Sequence, residues 1–171
     1  FGVGLGSFWS AKHSQIYPEL KRLAEEGLIR YSTVIQGEKL EKKLYEITPS
    51  GKQDFLAWLD QDQPLDPTPK DVFRLRSYYS QWLSEEAYLE LLQKQIEKRQ
   101  IKLEFLSHSL QVSYDGVDPR TLTAAARGDY LVLLGAVMRE RTYMDWLLRC
   151  RELVSGWANQ REGGKLQTKP E

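Results

Sequence analysis

From Ser14 onward apolar residues recur with helical spacing: Ile16, Leu20 and Leu23 stand at i, i+4 and i+7, with Tyr17 and Ala24 beside them. The pattern predicts a helix capped by Ser14, with Pro18 in the first turn, where a missing N–H is tolerated. Gly27 sits where a left-handed residue stops such a helix. The period then changes. β-Branched Ile29, Thr33, Val34 and Ile35 predict a strand over 28–35, and Leu44 to Thr48 predicts a second. Gln36-Gly37-Glu38-Lys39 is the hairpin turn between them. Thr48-Pro49 reads as an N-cap followed by proline at the first helical position. That helix is expected to turn Phe55, Leu56, Trp58 and Leu59 inward and to end near Gln61.

Asp62-Gln-Pro-Leu-Asp-Pro-Thr-Pro69 interrupts the pattern. Three prolines so close together continue neither a helix nor a central strand, so this is a stiff, extended linker. Beyond it the chain reads as long helices. Asp71 to Leu83 is aromatic-rich, with Phe73, Tyr78, Tyr79 and Trp82. Ser84 caps the next helix, with Glu85 and Glu86 against its N-terminal dipole. Leu89, Ile96, Leu103 and Leu110 then repeat every seven residues, interleaved with Leu92, Arg99 and Leu106. This is a seam of coiled-coil type broken by one charge. Tyr114-Asp-Gly116 is a turn, and a last helix runs from about Arg120 to about Trp157. The expected fold is mainly α with a small β-hairpin wing. The expected divisions are 1–63, a proline-rich linker at 64–69, a helical region at 70–158, and a flexible polar tail at 159–171.

Composition narrows the chemistry. The 171 residues carry 24 Lys plus Arg against 24 Asp plus Glu, which excludes a polybasic protein held on nucleic acid by bulk charge. The longest apolar run, Tyr130 to Met138, is too short to cross a bilayer. A single cysteine, Cys150, excludes an internal disulfide and suits a reducing cytoplasm. His13 and His108 are far apart and Cys150 has no CxxC partner, so neither a metal site nor a cofactor is expected. Gly2, Gly4 and Gly6 precede no strand–helix unit that would make a phosphate cradle. No nucleophile signature is visible, so an enzyme is not expected.

Helix, strand, turn, strand is the tail of a winged helix-turn-helix, in which the helix from Ser14 enters the major groove and the hairpin follows the phosphates. Lys12, Ser14, Gln15, Lys21 and Arg22 lie away from the apolar stripe and suit base edges and phosphates. Lys39, Lys42 and Lys43 stand near the hairpin tip. Between Ser10 and Gln53 there are eight basic against six acidic residues, so a solvated face remains an open alternative.

The run Phe8 to Leu28, followed by Lys42-Lys43-Leu44-Tyr45-Glu46-Ile47-Thr48-Pro49-Ser50-Gly51 and Trp58-Leu59, resembles the PadR family of transcriptional regulators, in its larger subfamily with a long helical C-terminal region. The resemblance implies a homodimer that binds an imperfect palindrome in double-stranded DNA, usually as a repressor. It also implies that a small aromatic or other hydrophobic effector releases DNA in some members. It places the recognition helix at Ser14, with Tyr17 and Pro18 near its start, and Lys42 and Lys43 in the wing. Tyr45 and Thr48 become structural, Trp9 packs beneath the motif, and the family's first helix and most of its second fall ahead of this sequence, with Phe1 to Gly6 at the end of the second. Tyr78, Tyr79, Trp82, Tyr130 and Trp146 are the candidates for an effector pocket, with core packing as the alternative use. Leu89, Leu92, Ile96, Leu103, Leu106 and Leu110 are the candidate dimer contact, with packing on the last helix as theirs. The competing function is a helical dimer that scaffolds a protein partner without reading DNA.

Overall fold

The computed structural model describes residues 13–36 and 40–165. The chain forms two compact units that divide between Pro69 and Lys70.

The first unit is a helix, a hairpin and a second helix. Helix α1 spans His13–Glu25. Gly27 follows at φ +71°, the left-handed stop that only a residue without Cβ adopts freely. Strands β1 (Ile29–Gln36) and β2 (Leu40–Ile47) pair antiparallel, with Ile29 opposite Ile47 and Gln36 opposite Leu40. The second strand is therefore longer than its apolar residues suggest, because Leu40-Glu-Lys-Lys43 pairs with β1 despite its charges. Helix α2 (Pro49–Leu59) begins at Thr48, whose side chain accepts the Gly51 N–H as an N-cap. The Thr48 hydroxyl also donates to the carbonyls of Gly27 (2.8 Å) and Leu28 (3.0 Å), tying α2 to the chain leaving α1.

Among the described residues of this unit, Gly51 alone is buried. Phe55, Leu56, Trp58 and Leu59 do not turn inward as expected; all four are about half exposed. One helix–hairpin–helix layer is too thin to enclose a helix face, and the Phe55 and Trp58 rings stack on each other instead, at 5.8 Å.

The second unit holds the core. Helix α3 is Val72–Tyr78, capped by Asp71, and gives way at Tyr79 to a 3-10 turn over Ser80–Trp82, so the expected single helix is two pieces. Helix α4 (Glu85–Tyr114) is capped by Ser84, as expected, and ends before Gly116 at φ +68°. A 3-10 turn at Pro119–Thr121 and an extended Leu122 delay the last helix, α5, to Ala124–Lys165. Its backbone stays helical well into the segment expected to fray.

Helices α4 and α5 pack antiparallel over two apolar clusters. One joins Tyr88, Leu92 and Ile96 to Tyr143, Met144, Leu147 and Val154; the other joins Leu106 to Leu133, Ala136 and Val137. Between them lies a polar layer. Arg99 Nη1 donates to both Glu140 oxygens at 2.9 and 2.8 Å, and Lys102 Nζ reaches Glu140 at 2.8 Å. The single charge that breaks the sequence seam thus meets a buried carboxylate on the facing helix.

Candidate nucleic-acid interface

Helix α1 starts at His13, so Ser14 is inside its first turn and is not the cap. Pro18 lies in the helix interior, and its missing N–H leaves the Ser14 carbonyl without a helical donor. Ser14 is solvent-exposed, so water can take that place.

The apolar side of α1 faces the hairpin across a cleft of about 1020 Å³, where Ile16, Leu20 and Ala24 meet Tyr31, Lys43 and Tyr45. Tyr17 and Lys21 also line this cleft. Ser14, Gln15, Lys21 and Arg22 are exposed on the arc of the helix away from Leu20 and Leu23, and Tyr17, also exposed, stands at the edge of the apolar side. Lys12 and Lys39, together with Trp9, lie outside the described residues.

The cations on this arc are held by acids of their own helix. Arg22 bridges Glu19 at 2.9 Å and Glu26 at 2.7 Å, and Lys21 sits 3.7 Å from Glu25. Hydrogen bonds with Glu19 and then Glu26 raise the Arg22 pKa above its ordinary value. All these groups are in water, so a phosphate exchanges with a glutamate at little expense.

The hairpin register separates the wing lysines. Side chains alternate along a strand, so Lys42, opposite Val34, and Lys43, opposite Thr33, project from opposite faces. Lys43 shares the face of Tyr31 and Tyr45: its ammonium lies 4.3 Å from the Tyr31 ring centroid, and the two rings are 5.7 Å apart. On the other face Arg30 donates to Glu46 at 2.8 Å. That pair escapes a sequence reading, because it exists only in the register that begins β2 at Leu40.

The remaining candidates lie in the second unit, and the structure does not bring the five aromatics together. Tyr78 and Trp82 are 79% and 81% exposed, and Tyr78 meets Tyr79 edge to face at 5.0 Å. Trp146 packs on Phe73 and Tyr143 at the rim of the core. Tyr130 stands at the other end of the α4–α5 pair, against Tyr114. As for the leucine seam, Leu92, Ile96 and Leu106 are buried against α5 of the same chain, while Leu89, Leu103 and Leu110 are half-buried beside them. A second copy has no access to the seam's centre. Two other stripes are open: Ile101, Phe105 and Val112 on the back of α4, and Leu131 and Met138 on the back of α5. The heptad repeat is the stronger signal in the sequence, and it marks the opposite face of α4.

Residues 4–57 match the transcriptional regulator PadR-like family, and residues 69–155 match the virulence activator alpha C-terminal family. Over 147 residues the chain is 48% identical to the negative transcriptional regulator PadR of Bacillus subtilis, covering 86% of this chain and 81% of that protein. The chain belongs to the PadR-like family of transcriptional regulators. Among solved structures, this PadR-like chain is similar to Bacillus subtilis PadR in complex with operator DNA: TM-score 0.81, 44% identity, covering 88% of this chain and 83% of that one. It is also similar to the same protein in complex with p-coumaric acid, with TM-score 0.75 and 39% identity, covering 90% of this chain and 84% of that one. The described residues of the PadR-like chain contain no helix long and apolar enough to cross a membrane.

Proposed function

We propose that the chain is a sequence-specific repressor that binds a palindromic operator as a homodimer and lets go when a small aromatic acid binds. The observation that carries this reading is the exposed polar arc of α1 in the same unit as a hairpin that presents Lys42 and Lys43, in a chain similar at TM-score 0.81 to a relative held on operator DNA. Ser14, Gln15, Tyr17, Lys21 and Arg22 read the groove in this proposal, and Lys42, Lys43 and the flanking Lys12 and Lys39 track phosphates. Residues 1–63 serve as the DNA-binding region, 64–69 as the linker, 70–158 as the dimerisation and effector region, and 159–171 as a tail. The protein acts by binding alone, without catalysis, and works in the cytoplasm, where a bacterial operator lies.

Because α5 fills the heptad seam, the two-fold contact falls to the exposed stripe of Ile101, Phe105 and Val112. The effector class follows from the relative bound to p-coumaric acid. A gel-shift titration with a promoter fragment tests the whole proposal. Saturable binding that weakens steeply with salt, and that p-coumarate reverses, is the expected result. Binding indifferent to DNA sequence would overturn it.

The scaffold reading keeps one supporting observation: Lys21, Arg22 and Arg30 are each paired with a glutamate. It predicts no saturable shift in the same titration.

A further inference from the structure

The linker ends on one side chain. Residues 62–70 are exposed and carry no regular secondary structure, whereas the next residue, Asp71, is half-buried. Its two carboxylate oxygens have separate partners. Oδ1 accepts the Arg74 N–H at 3.0 Å and caps α3, while Oδ2 accepts the Tyr143 hydroxyl of α5 at 2.7 Å. Capping requires only the first of these bonds.

Tyr143 is itself fixed. Its side chain is buried, the Arg99 guanidinium of α4 lies 3.9 Å from its ring centroid, and Arg99 donates in turn to the buried Glu140. Helix α3, by contrast, buries none of its own residues, and Val72, Leu75 and Tyr78 stay exposed. Asp71, Phe73 and Arg74 join it to α5: Phe73 meets Trp146 edge to face at 6.2 Å, and the Arg74 guanidinium lies 5.2 Å from the Tyr143 ring. All three stand at the linker end of α3.

We propose that the Asp71–Tyr143 bond anchors the root of the linker and thereby sets which half-site spacing the dimer accepts. Asp71 and Tyr143 are then positioning residues for operator reading, a role that rests on the palindrome reading above. Pro64, Pro67 and Pro69 keep the linker extended at ~3.1 Å per residue, so the stretch from Pro64 to Pro69 reaches about 15 Å. A rod of that length turns a tilt of about 13° at its root into about 3.4 Å at its tip, the rise of one base pair. A stiff tether therefore selects a spacing only if its root is fixed to the part of the molecule that dimerises. The chain of contacts from Asp71 through Tyr143 to Arg99 makes that connection, because Arg99 lies two residues before Ile101, where the exposed stripe of α4 begins.

The test uses a palindromic duplex selected by the full wild-type chain from a random-sequence library. It is remade with one or two base pairs inserted or removed at its centre, beside a half-site duplex as reference. The wild type should lose about tenfold or more in affinity at each altered spacing, as bivalent advantage disappears. Tyr143→Phe keeps the ring and removes only the hydroxyl. It should remain dimeric by sedimentation and keep its half-site affinity, while the spacing penalty shrinks to about threefold or less. Asp71→Ser retains a capping oxygen for α3 but has no second oxygen for Tyr143, and should shrink the penalty equally. The double variant should be no worse than either, because both changes remove one bond. A general loss of stability lowers affinity for every duplex alike and does not give this pattern. An unchanged spacing penalty in both single variants overturns the anchor and leaves the repressor reading standing. Failure of the wild type to select any palindrome overturns that reading, and the anchor with it.

Discussion

Gly51 shows how one atom can fix a junction. Its backbone is not in the left-handed region that Gly27 and Gly116 occupy, so conformational freedom is not the reason for glycine. A Cβ at Gly51 would overlap the Leu28 carbonyl oxygen and press on Ile47 Cγ1 at 3.1 Å. That carbonyl also accepts the Thr48 N–H and the Thr48 hydroxyl, each at 3.0 Å, so it cannot swing away without losing both bonds. Gly51→Ala should therefore destabilise the first unit by about 1–3 kcal/mol, the usual range for overpacking, and Thr48→Val by about 1 kcal/mol. Denaturant midpoints check both. The Thr48 cap was legible in the sequence as threonine before proline; the need for Gly51 was not, because it arises from a carbonyl 23 positions away. Tyr143 offers a second single-residue reading. Burial, then the hydrogen bond it donates to Asp71 at 2.7 Å, pushes its pKa up to about 12. An acid whose folded pKa lies above its unfolded value contributes stability below the unfolded value, here 10.0, and loses it as pH rises from there through about 12. Tyr143→Phe should remove that alkaline limb of the stability curve, along with a phenolate that appears near pH 12 in an absorbance titration.

At the scale of elements, the hairpin of α4 and α5 is held by apolar layers above and below one ionic layer. Burial pushes the Glu140 pKa up, but hydrogen bonds from Lys102 and Arg99 outweigh it and hold the group below its ordinary 4.5. A depressed carboxylate contributes stability above the unfolded pKa and loses it as pH falls through the folded one. Glu140→Gln should accordingly flatten the acid limb of the stability curve below about pH 4.5, measured by chemical denaturation across pH. Glu140→Ala is the harsher change, expected to cost about 3–5 kcal/mol because Arg99 is left unpaired in the hairpin. The paired replacement Arg99→Met with Glu140→Leu should be neutral or stabilising by up to about 4 kcal/mol, which separates stability from alignment of the two helices. The sequence displayed half of this layer: Arg99 was visible as a defect in the heptads, yet Glu140 sits in a long helix where no local signal names its partner. The same limit governs the hairpin. The β-branched run exposed β1, but β2 could not be traced back to Leu40, because a strand pairing through Lys42 and Lys43 carries no apolar alternation there. The exposed helix positions of the candidate DNA face were legible from periodicity alone. The pairing of Lys21 and Arg22 with glutamates follows from their i, i+3 and i+4 spacing, a pattern the sequence displays openly.

For the molecule as a whole, the proposal requires two reading heads about 34 Å apart, one helical turn of DNA. One copy of α1 is 13 residues long and spans only part of a half-site. Affinity for a palindrome then arises from linkage: once one head is seated, the other acts at the effective concentration set by the dimer, which raises affinity by about 10²–10⁴ over a single head. The proposed contact, Ile101, Phe105 and Val112, is separated from the chain's own core, because these residues occupy the side of α4 away from the buried Leu92, Ile96 and Leu106. A charge there should thus break the dimer and leave the hairpin folded, which the buried seam would not permit. Phe105→Glu is expected to sediment as a monomer with an unaltered helical circular-dichroism spectrum. Its affinity for a full palindrome should drop by about 10²-fold or more, toward that for an isolated half-site. The wild type should distinguish the two sites and Phe105→Glu should not. A Phe105→Glu variant that remains dimeric would move the two-fold contact to the back of α5, at Leu131 and Met138, where Met138→Glu makes the corresponding test.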